Sequence, residues 1–161
     1  MTFKKLSVEQ DPETQGFKPA SYDAIVAANV LHATSDIYRT MMHARKLLRP
    51  GERTILSGMT NRLLAASVIF GTLPGWWNAS EEWRTDGPLL TEAQWEDVLR
   101  SNGFSSLQAS SPDVADPLEE DTRLMIATAV ESKPTMSNGS ITRPMDHRVV
   151  VFVRRLQHQN E

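Results

Sequence analysis

Residues 22–34 read YDAIVAANVLHAT, and this stretch decides the fold class. Residues 24–28 are too uniformly apolar for a strand with one solvated face, so they predict a parallel strand that is buried on both faces. The stretch leads to His32. Because ligands in open α/β sheets bind beyond the carboxyl ends of the strands, His32 lies where catalysis is usual. A histidine that only caps a loop is the alternative.

Length, charge and residue usage limit the possible functions. A chain of 161 residues has the size of one domain with a moderate core. The net charge of −3 and the lack of a basic stripe argue against nucleic acid as a partner. There is no cysteine, and the four histidines show no paired spacing, so no metal is expected. Without a membrane-spanning run or a signal peptide, the expected location is cytoplasmic.

Residues 24–56 predict a strand, a helix and a second strand. Ser35 or Asp36 caps the helix, which has apolar residues at helical spacing, and Pro50-Gly51 stops it. The second strand is predicted at 53–56. The unit has the size of a crossover that joins two parallel strands.

The rest of the chain predicts further elements. Asn61 opens an apolar helix, which leads to paired tryptophans that form either core or the wall of an apolar pocket. Residues 91–94 have the form of a capping box, before a helix that ends at Asn102-Gly103. Further strands are predicted at 3–8, 104–108, 123–130 and 148–155, with an acidic loop within 113–121. The predicted organisation is a domain at 1–130, a flexible linker at 131–147, and a terminal strand and tail at 148–161 that pack on the domain or on a partner.

Four segments carry a more specific signal. They are YDAIVAANVLHAT at 22–34, ARKLLRPGERTILSGMTN at 44–61, IFGTLPGWW at 69–77 and GPLLTEAQWEDVLRSNGFSSLQ at 87–108. In this order and spacing they resemble the C-methyltransferase domain of fungal highly reducing polyketide synthases. The resemblance implies a truncated class I methyltransferase fold, a Rossmann-like α/β sheet of about five to six strands flanked by helices. It also implies S-adenosylmethionine as the methyl donor and a carrier-bound β-ketoacyl chain as the acceptor.

The donor half of that family's site is missing from the sequence pattern. Family members have a glycine-rich loop after their first strand, whereas the eight glycines here include no G-x-G. The family segment that contacts adenine reads approximately L-D-I-E-K-D, and Ser7 stands here in place of its first aspartate. We therefore expect that no cofactor is bound.

The acceptor half is retained with one change. The family pairs the strand-end histidine with a glutamate in an E-I-T segment, and together they remove the α-proton of the β-ketoacyl thioester. Here the segment reads Gly58-Met59-Thr60, so the partner carboxylate of His32 is absent and the imidazole is a weaker base with an unfixed tautomer. We expect His32 to be the catalytic acid or base, and the candidate substrate-binding residues are Asn29, Thr34, Ser57, Thr60, Phe70, Trp76 and Trp77.

Four functions fit these observations. The first is a protein of fungal polyketide biosynthesis that binds a polyketide-type molecule and catalyses a cofactor-free cyclisation, isomerisation or dehydration. The second is a non-catalytic accessory protein or pseudoenzyme that docks on a polyketide synthase, and the third is the inactive product of a fragmented synthase gene. The fourth is an S-adenosylmethionine-dependent C-methyltransferase whose site a dimer completes. Because a sheet without its first strand exposes an edge that either 148–155 or a second copy fills, we also expect a homodimer.

Overall fold

The structure is a computed structural model that describes residues 4–60, 64–73, 75–112, 122–130 and 148–152. The described elements alternate between strands and helices along most of the chain. They are β1 (Tyr22–Ala28), a 3₁₀ helix (Leu31–Ala33), α1 (Ile37–Leu47), β2 (Leu48–Met59), α2 (Leu64–Phe70), α3 (Glu92–Ser101), β3 (Ala109–Pro112), β4 (Thr122–Thr128) and β5 (Val149–Phe152).

The strands form one mixed sheet in the order β3-β4-β2-β1-β5. β1 is parallel to both of its neighbours, and Val26 lies opposite Ile55 on β2 and Val151 on β5. β4 is antiparallel to β2 and to β3. A five-stranded α/β sheet flanked by helices confirms the predicted fold class, a partial Rossmann-like domain.

Helices α1 and α3 contribute to the hydrophobic core on one face of the sheet. Ile25 on β1 and Leu56 on β2 are 0% and 2% exposed and join Met41 of α1 and Leu99 of α3 in that core. The prediction that β1 is buried on both faces is wrong, because Val26 is only half-buried and outside that core. In the described part of the chain, the face opposite α1 and α3 keeps this partial exposure along β1, β2 and β4.

Both predicted helix caps are confirmed. Asp36 caps α1, because its side chain accepts the backbone N–H of Arg39 at 2.8 Å. At the start of α3, Thr91 and Gln94 form both arms of a capping box. Each cap satisfies backbone donors that the first turn of a helix leaves unpaired.

The predicted stop at Pro50-Gly51 is wrong, because α1 ends at Leu47 and β2 runs through both residues. Leu48 has extended dihedral angles and pairs with Tyr22 of β1, so the chain enters the sheet at once. Gly51 has a φ of 82°, which favours glycine, and its N–H donates to the carbonyl of Ala129 at 2.8 Å.

Two strand predictions are also wrong. Residues 4–8 are irregular, and the carbonyl of Val8 accepts from Nδ1 of His43 at 2.7 Å instead of pairing in a sheet. Phe104 forms only an isolated bridge with Ala129, and regular pairing with β4 starts at Ala109. The side chain of Phe104 lies in the hydrophobic core. Its apolar character therefore reflects core packing and does not indicate a strand.

Several predictions lie outside the described residues. These are the start of the helix at Asn61, the acidic loop within 113–121, the linker at 131–147 and the strand residues 153–155. No described helix combines the length and the apolar character needed to span a membrane.

Candidate active site

A left-handed turn at Asn29 brings His32 to the ends of two neighbouring strands. Asn29 has a φ of 48°, a conformation that asparagine tolerates better than most residues. Its N–H donates to the carbonyl of Ser57 at 2.8 Å, and its Oδ1 accepts the N–H of Met59 at 3.3 Å. These two bonds tie the turn after β1 to the end of β2, and the 3₁₀ helix with His32 follows directly.

His32 lines a small cavity between the sheet and α3. The imidazole belongs to a residue that is 7% exposed, and the cavity of about 10 Å³ is close to the lower limit for one water molecule. A Cβ added at Gly58 would lie 3.9 Å from Nδ1 of His32 and 3.9 Å from Oδ1 of Asn29. The cavity is lined by Ala27, Val30, Leu31, His32, Leu56, Ser57, Gly58, Trp95 and Met125.

The remaining polar candidates have different surroundings. Ser57 lines the same cavity as His32, whereas Thr34 and Thr60 are buried outside its lining. The hydroxyl of Thr34 donates to the carbonyl of Leu31 at 2.7 Å and accepts from the hydroxyl of Thr40 at 2.8 Å. The structure therefore brings Asn29 and Ser57 to His32, and it uses the Thr34 side chain inside the fold.

The two tryptophans have different roles. Trp76 is 7% exposed, and its ring stacks on Phe70 at a centroid distance of 5.7 Å. It also packs with Leu89 and with Met59, the last residue of β2. Trp77 is 58% exposed, and its Nε1 donates to the carbonyl of Gly71 at 3.0 Å. The core alternative therefore applies to Trp76, whereas Trp77 is exposed and its role in an apolar pocket stays a prediction.

Sequence reasoning missed Arg84, a buried residue that contacts the backbone of the His32 turn. Arg84 is 4% exposed, and its Nη2 donates to the carbonyls of His32 and Thr34 at 2.8 Å and 3.2 Å. Burial lowers the pKa of its guanidinium, and the nearby Glu81 carboxylate opposes that shift. The spacing of Glu81 and Arg84 is a weak signal, because such pairs usually lie on solvated surfaces.

The segment that resembles the adenine-contacting part of the family is engaged within the fold. The N–H and carbonyl of Ser7 both bond to the side-chain amide of Gln15 at 2.8 Å. The carboxylate of Asp11 accepts from the N–H of Glu13 and from Nζ of Lys46. Ser7 thus stands in place of one family carboxylate, and Asp11, which stands in place of another, is paired with Lys46.

The sheet topology and the strand-end histidine define a methyltransferase-like α/β domain. The profile of the family described as "Methyltransferase domain" matches residues 2–56. The chain is homologous to the methyltransferase domains of fungal highly reducing polyketide synthases and of fungal hybrid polyketide synthase–peptide synthetases. Its structural neighbours include the CurJ carbon methyltransferase and the CMeT domain of the citrinin polyketide synthase.

Three relatives illustrate the similarity. The hybrid PKS-NRPS synthetase lepA of Aspergillus flavus is 38% identical over 146 residues, covering 91% of this chain and 4% of that protein. The highly reducing polyketide synthase ltbA of Aspergillus luteorubrus is 47% identical over 110 residues, covering 68% of this chain and 3% of that protein. The crystal structure of the CurJ carbon methyltransferase is 40% identical with a TM-score of 0.70, covering 78% of this chain and 34% of that one. The chain thus spans a small part of each synthase and about a third of the solved domain.

Proposed function

We propose that this protein binds a polyketide-type substrate at the His32 end of the sheet and catalyses a cofactor-free cyclisation, isomerisation or dehydration there. His32 is the acid or base of this reaction. The single observation that carries the proposal is the position of a buried histidine at the ends of two adjacent parallel strands, in a cavity that it shares with Ser57 and Gly58. An imidazole exchanges protons near neutral pH, and these three reactions all use a proton transfer beside a carbonyl.

The substrate class is supported by an exposed apolar surface on α2 and Trp77. Val68 and Ile69 of α2 are 67% and 64% exposed, and Trp77 is 58% exposed. Met59 follows Gly58 on β2 and packs on Trp76, whose ring stacks on Phe70 of α2. Because the cavity itself is small, we propose that the chain of the substrate lies on α2 and Trp77 and that only its reacting end reaches His32. The named relatives are polyketide synthases, which supports a polyketide-type chain.

The absence of a methyl donor in the reaction is supported by two observations. The sequence has no G-x-G, and Asp11 in the adenine-like segment is paired with Lys46. Methyl transfer needs the donor held in line with the acceptor, a positioning effect of about 7–11 kcal/mol. Without a held donor this effect is lost, so the proposed reaction uses only the acid–base chemistry of the acceptor side.

The test combines ligand binding with proton exchange. Calorimetric titration with S-adenosylmethionine and S-adenosylhomocysteine should give no binding heat at high micromolar ligand. Saturable binding would contradict the proposal and favour methyl transfer as the function. Deuterium exchange at the α-carbon of a β-ketobutyryl pantetheine thioester should be catalysed by the protein and lost in His32→Asn. His43→Asn is the matched control, because it replaces another buried histidine and keeps a donor for the carbonyl of Val8. Unchanged exchange in His32→Asn would contradict the assignment.

A second candidate function, a non-catalytic partner of a polyketide synthase, is favoured by the half-exposed sheet face and by the edge strand. Val149 and Val151 of β5 are 52% and 54% exposed, and β5 is the last strand of the described sheet. β5 pairs with β1, so the terminal strand fills the edge that a second copy was the alternative to fill. The homodimer that we also propose would form at the outer edge of β5, because exposed strand edges recruit other strands. A monomer in light scattering at micromolar concentration would contradict the dimer. Co-purification with an intact synthase, together with no proton exchange, would favour the partner function.

A further inference from the structure

We propose that Arg84 is a positioning residue for His32, holding the strand-end 3₁₀ helix by two hydrogen bonds to its backbone. The proposal rests on the proposed role of His32, and it adds a residue far along the chain to the machinery of that site. Arg84 does not line the cavity and acts through the turn that carries the imidazole.

The contacts of Arg84 are with the end of the 3₁₀ helix. Its Nη2 donates to the carbonyl of His32 at 2.8 Å and to that of Thr34 at 3.2 Å. The last carbonyls of a helix have no partners within it, and a cation at this end is also favoured by the backbone dipoles. One guanidinium nitrogen therefore binds the carbonyls of His32 and Thr34, the residues on either side of Ala33. We infer that these two bonds fix the backbone orientation of His32 in the turn.

Arg84 is itself held in place by Glu81. Nη1 of Arg84 lies 3.1 Å from Oε2 of Glu81, and the two side chains are 1% and 10% exposed. Oε1 of Glu81 accepts the N–H of Ile37, the first residue of α1. The ion pair thus connects the His32 turn with the start of the helix that follows it.

Two neighbours of Arg84, Ser80 and Trp83, also contact the chain that follows His32. Both the N–H and the hydroxyl of Ser80 donate to the carbonyl of Ser35 at 2.8 Å. The ring of Trp83 also meets that of Tyr38 edge to face, with centroids 6.3 Å apart. Residues 80–84 therefore contact residues 32–38 at several points. Among these contacts, Arg84 is the residue that binds the carbonyl of His32.

The energetics favour a geometric role for this pair. A buried ion pair often adds little net stability compared with apolar residues of the same volume, because both charges lose their hydration. What arginine adds is a rigid planar fork that binds several acceptors in fixed directions, which a lysine does not reproduce. Burial lowers the pKa of Arg84 without removing its charge, since arginine stays protonated in proteins.

The test measures the imidazole directly by NMR in Arg84→Met and Arg84→Lys, with ¹⁵N-labelled histidine. The His32 ring signals, assigned by their loss in His32→Asn, should shift and broaden in Arg84→Met and shift by a smaller amount in Arg84→Lys. The His43 signals should stay in place, because that ring is fixed by its hydrogen bond to the carbonyl of Val8. Arg100→Met is the matched control, since it breaks an arginine–glutamate pair with Glu96 on the surface of α3. Proton exchange on the thioester should fall about 100-fold in Arg84→Met, the scale of a misplaced catalytic group.

Unchanged His32 ring signals in a folded Arg84→Met protein would overturn the proposal. If Arg84→Met does not fold, the comparison of Arg84→Lys with Arg100→Met decides the question by the same signals. The NMR result does not depend on catalysis. Retained proton exchange in His32→Asn would therefore refute the proposed function, and moved ring signals in the Arg84 variants would still establish the positioning contact.

Discussion

Gly58 lies beside His32, and a Cβ built on this glycine would be 3.9 Å from Nδ1 of the imidazole. That distance is an ordinary van der Waals contact, so a Cβ atom fits at position 58. The resembled family has a glutamate here. We expect Gly58→Glu to supply the carboxylate that orients the imidazole and to raise thioester proton exchange roughly 10- to 100-fold, within the range of acid–base catalysis.

Gly58→Gln is the control for this change, because it fills the same space without a charge. It should leave proton exchange within about twofold of the parent rate, since a neutral amide does not stabilise the imidazolium. Equal exchange rates in Gly58→Glu and Gly58→Gln would show that a carboxylate at this position does not assist His32.

The burial difference between Trp76 and Trp77 predicts that their removal destabilises the fold by different amounts. Trp76→Ala deletes a buried ring stacked on Phe70 and should lower the free energy of unfolding by about 3–5 kcal/mol. Trp77→Ala removes an exposed ring and should cost about 1 kcal/mol or less. Urea unfolding measures both values, and thioester binding should weaken in Trp77→Ala. Full thioester affinity in Trp77→Ala would mean that the exposed ring is not part of the substrate surface.

The left-handed conformation of Asn29 predicts an order of stability for its variants. Asn29→Ala places a Cβ without a hydrogen-bonding group at a φ of 48° and should cost about 2 kcal/mol. Asn29→Gly loses only the bond to the N–H of Met59 and should cost about 1 kcal/mol. Thermal unfolding of the two variants gives this order. Equal costs or the reverse order would mean that the left-handed backbone conformation does not determine the residue at this turn.

The ion pairs of Lys46 predict how stability depends on pH. The pKa of Asp11 is lowered by the N–H of Glu13 and next by Lys46, so this carboxylate stabilises the fold above its ordinary value of 3.8. That contribution is lost as the pH falls from 3.8 through the lower folded value. The pKa of Lys46 is raised by Glu13 and Asp11, so its contribution is lost as the pH rises above 10.5.

Lys46→Met tests both limits. Urea unfolding should show a shallower loss of stability below about pH 4 and above about pH 10 in the variant than in the parent protein. An identical pH profile for the two proteins would mean that these exposed charges make no net contribution.

Local signals in the sequence predicted the starts of α1 and α3 and several of the strands. Asp36 and Thr91 are caps because a short polar side chain reaches the unpaired N–H groups of the next turn, and this geometry depends only on neighbours in the chain. The strand that contains Ile25 was predicted from its apolar run. The partial exposure of the second face of this strand could not be predicted, because burial depends on which other elements pack there. The covered face is the one against which α1 and α3 pack.

Only part of the candidate site could be predicted, because the sequence carries local signals but not the packing of distant residues. His32 follows a recognisable strand, so its place at the strand end could be inferred. Arg84 could not, because an arginine in an irregular segment 52 residues away gives no sign that it will be buried against the His32 carbonyl. Thr34 has the residue type of a substrate ligand, but its hydroxyl bonds to Leu31 and Thr40.

The position of β5 has a consequence for the folding kinetics of the chain. The N–H of Arg148 bonds to the Asp23 carboxylate across 125 residues, and β1 and β5 then run parallel. Contacts between residues so far apart in the sequence form late, because closing a long loop lowers the chain entropy before the strand pairing contributes any stabilisation. In refolding, β1 and β2 should assemble first, and quenched hydrogen exchange should protect the amides of Val26 and Ile55 before those of Val150. Until that last strand docks, the most apolar strand of the sheet has an open edge, so the slow step is also the one at which the chain is most prone to aggregate.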